Sequence, residues 1–152
     1  MLDSFNKLTS SKEFKEWRSK HKESYLCSCF KIMGDKDLSW QFDFYNKNNT
    51  ITSFTTDPIE ITENQEIFQK EKTKLKELDL KKINLNIDNS LKKIKEKYKQ
   101  DHFIKIVIIL QPDCWNITLL SSEFKVLNVK LDIKTQKITD EKYESVLNFK
   151  TK

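Results

Sequence analysis

The sequence predicts an α+β domain in which helices pack on an antiparallel β-sheet. Three observations carry this. Residues 102–139 hold three strand signals in succession with turn residues between them. The segment LSWQFDFYN at 38–46 alternates apolar and polar side chains at period two, as a half-buried strand does. Two helical segments, one ahead of each group of strands, carry apolar or aromatic residues at i, i+3 and i+7.

From the N-terminus, Ser10-Ser11-Lys12-Glu13 reads as a capping box, with Ser10 as N-cap and Glu13 at N3, opening a helix to about His21. Phe14, Trp17 and His21 share its inner face. In YLCSCFKIM, Leu26, Phe30 and Ile32 share a parity, and the chain then turns at Gly34-Asp35-Lys36-Asp37, around its single glycine. The next strand sets Leu38, Trp40, Phe42 and Phe44 against Ser39, Gln41, Asp43 and Tyr45. Lys47-Asn48-Asn49 turns it into TITSFTT. Asp57-Pro58 breaks the chain, and IEITENQEIF, flanked by charge, reads as an edge strand. Residues 70–82 are rich in Lys and carry Leu75, Leu78 and Leu80.

Asp88 or Asn89 is expected to cap a second helix, Ser90 to about Lys99, with Leu91, Ile94 and Tyr98 inside and Lys92, Lys93, Lys95, Lys97 and Lys99 on the remainder. Phe103 to Leu110 is apolar at both parities, Ile104, Ile106, Ile108 and Leu110 against Phe103, Val107 and Ile109, which predicts burial on both faces. Gln111-Pro112-Asp113 is a hairpin turn, because Pro112 fixes φ and Asp113 can bond its own backbone. In Cys114 to Leu120, Trp115, Ile117 and Leu119 alternate with Asn116 and Thr118. Lys125 to Ile133 sets Leu127, Val129, Leu131 and Ile133 against Asn128, Lys130 and Asp132. Tyr143, Val146, Leu147 and Phe149 suggest a short C-terminal helix or strand docked on the body.

Trp40-Gln-Phe-Asp-Phe stands in the first part where Trp115-Asn-Ile-Thr-Leu stands in the second. The 152 residues therefore read as one domain with two similar halves, 1–69 and 84–152, joined by the Lys-rich stretch 70–83. Their sheets would either pack face to face or join into one. The stretch from the second helix through WNIT to FKVLNVKLDIKTQKI, about residues 84–139, resembles a PepSY-like domain. In that family a helix precedes an antiparallel sheet that ends in an Asp-x-x-Thr-Gly-x-Ile hairpin. Asp132, Thr135 and Ile138 match it, and Gln136 stands where the family favours Gly. The resemblance implies the fold and a protein-binding role, the family being associated with peptidase propeptides and peptidase regulation. It implies no catalytic residues. Family members are typically exported or membrane-attached.

Composition bounds the remaining readings. A chain of this length buries about 70% of its unfolded surface, enough for a core without disulfides. The start of the sequence lacks a basic segment followed by an apolar one, and no apolar run approaches the ~20 residues that cross a bilayer. A cytoplasmic location is expected. Three cysteines, an odd number, do not form a secreted disulfide framework. Cys27, Cys29 or Cys114 with His21 or His102 could in principle form a nucleophile and base, but small buried thiols are the ordinary use of such residues. Cys27, Cys29, Cys114 and His102 could also supply four zinc ligands, yet Cys-x-Cys lacks the spacer of structural zinc sites. Asp35 with Asp37, or Asp43 with Asp132, fall in turns and on polar strand faces. A single glycine leaves no phosphate-binding loop. No enzyme, cofactor or small-molecule substrate is implied.

The charge is localised. Residues 70–100 hold 11 Lys against 5 acidic residues, whereas the rest of the chain is nearly balanced, so the net +5 comes from the linker and the second helix. Lys92, Lys93, Lys95, Lys97 and Lys99 are the candidate patch for phosphates or an acidic partner. All but one of the 28 basic residues are Lys, so Arg-type base reading is nearly absent. Trp40 and Trp115 could stack bases, but each begins an alternating apolar face and reads as core. The expected role is binding another protein, or a second copy, with the weak edge strand at 59–68 as the candidate surface. Weak nucleic-acid binding by the lysines is the alternative.

Overall fold

The computed structural model describes residues 1–67 and 74–146. Its elements run α1 (Leu2–Thr9), α2 (Lys12–Lys20), β1 (Tyr25–Met33), β2 (Gln41–Tyr45), β3 (Thr50–Thr55), β4 (Glu60–Glu66), a 3-10 turn (Leu80–Lys82), α3 (Asp88–Lys97), β5 (Phe103–Leu110), β6 (Cys114–Ser121), β7 (Lys125–Asp132) and β8 (Ile138–Ser145). The strands form one antiparallel sheet in the order β4-β3-β2-β1-β5-β6-β7-β8. β1 and β5 meet at its centre, Cys29 opposite Leu110 and Met33 opposite Ile106. From that seam β1 to β4 step outward to one edge and β5 to β8 to the other. The two meanders thus join into one sheet, and the strand expected at an edge, β4, lies at one.

All three helices cover the same face. Leu8, Phe14, Trp17, Leu91 and Ile94 enter a single core with Leu26, Cys29, Phe42, Phe44, Phe54, Ile108, Leu110, Trp115, Ile117, Leu119, Leu127 and Val129. Every strand from β1 to β7 contributes alternate residues to this core except the edge strand β4, as period-two geometry requires. The turns follow the sequence: Gln111 N–H donates to Cys114 C=O at 2.9 Å across the Pro112 hairpin, and Gly34 N–H donates to the Asp37 carboxylate at 3.3 Å.

Several expectations are corrected. Helix α1 has no strong sequence signal, and it changes the cap of the next helix. Ser10 is taken as the C-cap of α1, so Ser11 caps α2, its Oγ accepting from Phe14 N–H at 3.1 Å, and Glu13 is not at N3. Helix α3 begins at Asp88 after Ile87, and the Asn86 side chain accepts from Asp88 N–H at 3.1 Å. In β1 a bulge between Leu26 and Ser28 separates Leu26, which faces the helices, from Phe30 and Ile32, which face away. β2 starts at Gln41, leaving Leu38 exposed and Trp40 half-buried.

Among the described residues, β5 is covered on one face only. Ile106, Ile108 and Leu110 are buried under the helices, Val107 and Ile109 are half-buried on the other face, and a bulge between Phe103 and Lys105 leaves Ile104 46% exposed. The double parity of apolar residues marks a central strand whose second face packs laterally on apolar neighbours, Phe30 and Ile32, without a covering layer. At the C-terminus Tyr143 belongs to strand β8, which pairs with β7 through Leu127. Leu147 and Phe149, expected in a docked terminal element, lie outside the described residues, as does residues 70–73 of the Lys-rich stretch.

Candidate functional site

The five patch lysines are all exposed. Four lie on the solvent side of α3, and Lys99 lies beyond its last residue. Lys97 is committed elsewhere: its Nζ is 2.8 Å from a Glu141 carboxylate oxygen and 5.7 Å from the Tyr98 ring centroid. Tyr98 also donates to Glu141, and Tyr143 donates to Asp101 at 2.7 Å while stacking on Tyr98 at 5.1 Å. This polar cluster fastens the end of α3 to the edge strand β8. Lys92, Lys93, Lys95 and Lys99 take part in none of the ion pairs among the described residues.

The thiols are held protonated at neutral pH. Burial, reinforced by the Asp43 charge, pushes Cys27 up to about 12, and Cys29 is raised by the same causes. Burial also raises the half-buried Cys114. A thiolate is the nucleophilic and metal-binding form, so these environments oppose both uses. His21 sits 2.9 Å from Trp17 C=O through Nδ1 and stacks on the Trp17 ring at 5.0 Å, as a helix-end residue. Among the described residues no three His, Cys, Asp or Glu side chains come together to hold a metal ion. Asp132 caps its own turn, accepting from Lys134 and Thr135 N–H at 3.2 Å each, and these bonds, the Thr135 one foremost, hold its carboxyl below the usual range. Trp115 is fully buried and Trp17 nearly so, whereas Trp40 lies half-buried beneath Lys31 Nζ at 5.7 Å from its centroid.

The sheet face turned away from the helices is the extended surface that sequence reasoning did not isolate. At its centre Phe30 and Ile32 of β1 lie opposite Ile109 and Val107 of β5, and Leu120 of β6 lies opposite Val126 of β7; all six are half-buried. Hydrogen-bonded polar groups flank this strip. On one side Asp43 accepts from Ser53 Oγ at 2.6 Å, Gln41 Nε2 at 2.9 Å and Ser28 Oγ at 2.9 Å, and Gln65 Nε2 donates to Ser53 Oγ at 2.8 Å. On the other, Asn128 Nδ2 donates to Asn116 Oδ1 at 2.8 Å and Thr118 Oγ1 at 2.9 Å. These groups satisfy one another across strands, and among the described residues no layer covers the face. The available signal was the second apolar parity of β5, which reads equally well as a buried strand.

No helix among the described residues is long and apolar enough to cross a membrane. The chain matches no protein-family model and no curated protein. Its fold is similar to the crystal structure of a putative lipoprotein from Clostridium difficile 630, with a TM-score of 0.52 over 87% of this chain and 90% of that one. The sequences are 12% identical, so the likeness is one of fold.

Proposed function

We propose that the protein is a non-catalytic binding module that presents the helix-free face of its sheet to another protein. The observation that carries this is the half-buried strip Phe30, Ile32, Val107, Ile109, Leu120 and Val126, apolar at its centre and polar at its borders. That is the layout of a protein interface, an apolar centre inside a polar rim. Eight strands ~4.8 Å apart make a face roughly 35 Å wide, and a standard interface needs about 800 Å² per partner.

The reading extends to two PepSY-like halves. Asn49 N–H donates to Asn46 C=O at 3.0 Å in the β2–β3 turn, and Phe124 N–H donates to Ser121 C=O at 3.2 Å in the β6–β7 turn. Each donor residue has positive φ, 60° and 61°. The β3–β4 and β7–β8 turns also carry positive-φ residues, Asp57 and Gln136, at 60° and 59°. Gln136 is the residue that stands where the family favours Gly, and it adopts the left-handed conformation a glycine would supply there. These equivalences support a tandem origin and, with it, protein binding.

A photo-crosslinking residue placed at Ile109 in cells tests the proposal. It is expected to trap one discrete polypeptide, a second copy included, whereas the same residue at Lys93 is expected to trap none. No discrete product from Ile109, or equal products from both positions, would sink it.

A further inference from the structure

On the opposite, helix-bearing side, Lys31 occupies a position that an apolar residue would be expected to hold. It lies between Cys29 and Met33 on the core-facing parity of β1, directly opposite Ile108. It is half-buried, and no carboxylate pairs with it among the described residues. Its Nζ lies over the Trp40 ring, 5.7 Å from the centroid, a contact that leaves the charge without an anion. Lys31 lines a cavity of about 450 Å³ that opens between the first turns of α1 and α3 above the central strands. That volume falls within the range of small-ligand sites.

One part of the wall is apolar, formed by Met33, Trp40, Leu85, Ile87, Leu91 and Ile108, and Asn86 adds a polar group to the lining. Trp115 forms part of the lining, is wholly buried, and its Nε1–H has no acceptor among the described residues. An orphaned buried donor calls for an explanation. The acidic residues of the lining, Asp3 and Asp88, are exposed and sit in the first turns of their helices, where the exposed N–H groups favour negative charge. They mark the rim, and Lys31 is the one cationic side chain among the lining residues, beside the α-amino group of Met1.

We propose that this cavity binds a small apolar monocarboxylate, its chain against Trp40, Leu91 and Ile108 and its carboxylate on Lys31 Nζ. A slot with an apolar wall and a cation that has no carboxylate partner fits this class: a neutral chain leaves Lys31 without an anion, and an amine opposes it. The site is independent of the sheet face proposed for protein binding.

Octanoate, octanol and octylamine are suitable probes, followed by the three tryptophan indole N–H resonances of the whole chain. Octanoate is expected to move the Trp40 and Trp115 resonances saturably and to leave Trp17, in the other helix cluster, in place. It should bind about tenfold more tightly than octanol, which is 1.4 kcal/mol, and octylamine should bind more weakly still. Lys31→Met should erase the preference for octanoate, and Lys31→Arg should keep it. An unmoved Trp17 resonance reports that both variants remain folded. The proposal is overturned by the absence of a saturable shift, by equal binding of octanoate and octanol, by a preference that survives Lys31→Met, or by its loss in Lys31→Arg.

Discussion

The two ends of the helix layer reach the sheet by different means. Under α2 the contact is aromatic: Phe14 and Trp17 meet Phe44 and Phe54 at centroid distances of 5.0–5.5 Å, and Phe44 and Phe54 meet edge-on at 5.6 Å. Under α3 it is largely aliphatic: Leu91 and Ile94 share the core with Ile106, Ile117, Leu119 and Leu127, with Trp115 beside Leu91. The aliphatic end is finished by polar groups, Lys97 and Tyr98 against Glu141, and Tyr143 against Asp101. Rings fill the gap between a helix and a sheet with few side chains, and their edge-to-face contacts add to area burial. Branched aliphatic side chains fill a similar gap but leave the outermost strand short of apolar cover. There Glu141 and Tyr143 face the helix, and hydrogen bonding replaces burial. Volume and patterning are what the architecture requires, and more than one set of side chains meets them.

Truncation at matching positions breaks this comparison most directly. Phe44 and Leu119 are both buried core residues of a strand one removed from the central pair, β2 and β6. Phe44→Ala is expected to cost about 4 kcal/mol and Leu119→Ala about 3 kcal/mol in urea denaturation. A larger loss at Leu119 would show that the aliphatic end carries the fold.

The polar seal predicts pH dependence at both extremes. Burial first, then the bond to the Glu141 carboxylate, pushes Tyr98 up to about 12. The unfolded tyrosine ionises near 10, so its share of the stability is whole below that pH and falls as the pH rises toward 12. Glu141 has the opposite sign. The Lys97 hydrogen bond, then that of Tyr98, holds its pKa below the usual 4.5, so its share is present above that pH and is lost as the pH falls through the folded value. Denaturant midpoints measured against pH should lose part of their alkaline slope in Tyr98→Phe, the remainder belonging to the buried thiols and the other raised tyrosines, and part of their acid slope in Glu141→Gln. Unchanged slopes would mean that the seal is only a surface contact.

The smallest effects separate the positive-φ turns. Phe124 is 59% exposed, and its φ of 61° costs a side-chain-bearing residue about 1 kcal/mol. Phe124→Gly should therefore raise stability by about 0.5 kcal/mol. Gln136 has the same backbone, but its amide donates to Asn84 and Asn86 C=O at 3.1 Å each and accepts from Ser90 Oγ at 2.9 Å. Those bonds hold the entry to α3, so Gln136→Gly should lower stability by about 1 kcal/mol despite relieving the backbone. Thermal melts of both variants decide it, and a stabilised Gln136→Gly would mean that the bonds contribute nothing.

Much of this was legible before folding, because it is written in local periodicity. The inner faces Phe14 and Trp17, and Leu91 and Ile94, follow from helical spacing. The alternation of Phe42 with Phe44, and of Trp115 with Ile117 and Leu119, follows from the strand repeat. The elements that escaped are those in which one residue changes the count. Bulges at Cys27 and Ile104 turn Leu26 and Ile104 to the opposite side from their sequence parity, and α1 takes Ser10 as its own cap. Lys31 was visible as a lysine on the parity of Cys29 and Met33, but that parity acquires meaning only when the strand's faces are known.

Local sequence therefore determined the α+β class, the α2 and α3 helices, the turns at Gly34, Asn49 and Pro112, and the clustering of positive charge on α3. These depend on neighbours within a few residues, where sterics and side-chain period act. Only the tertiary structure decided that β1 pairs with β5 to fuse two meanders, that the three described helices gather on one face, and that no described element covers the second face of the central strands. Strand pairing joins residues about 75 apart in the chain, and its choice rests on the free energy of assembling the entire core, which no local window contains.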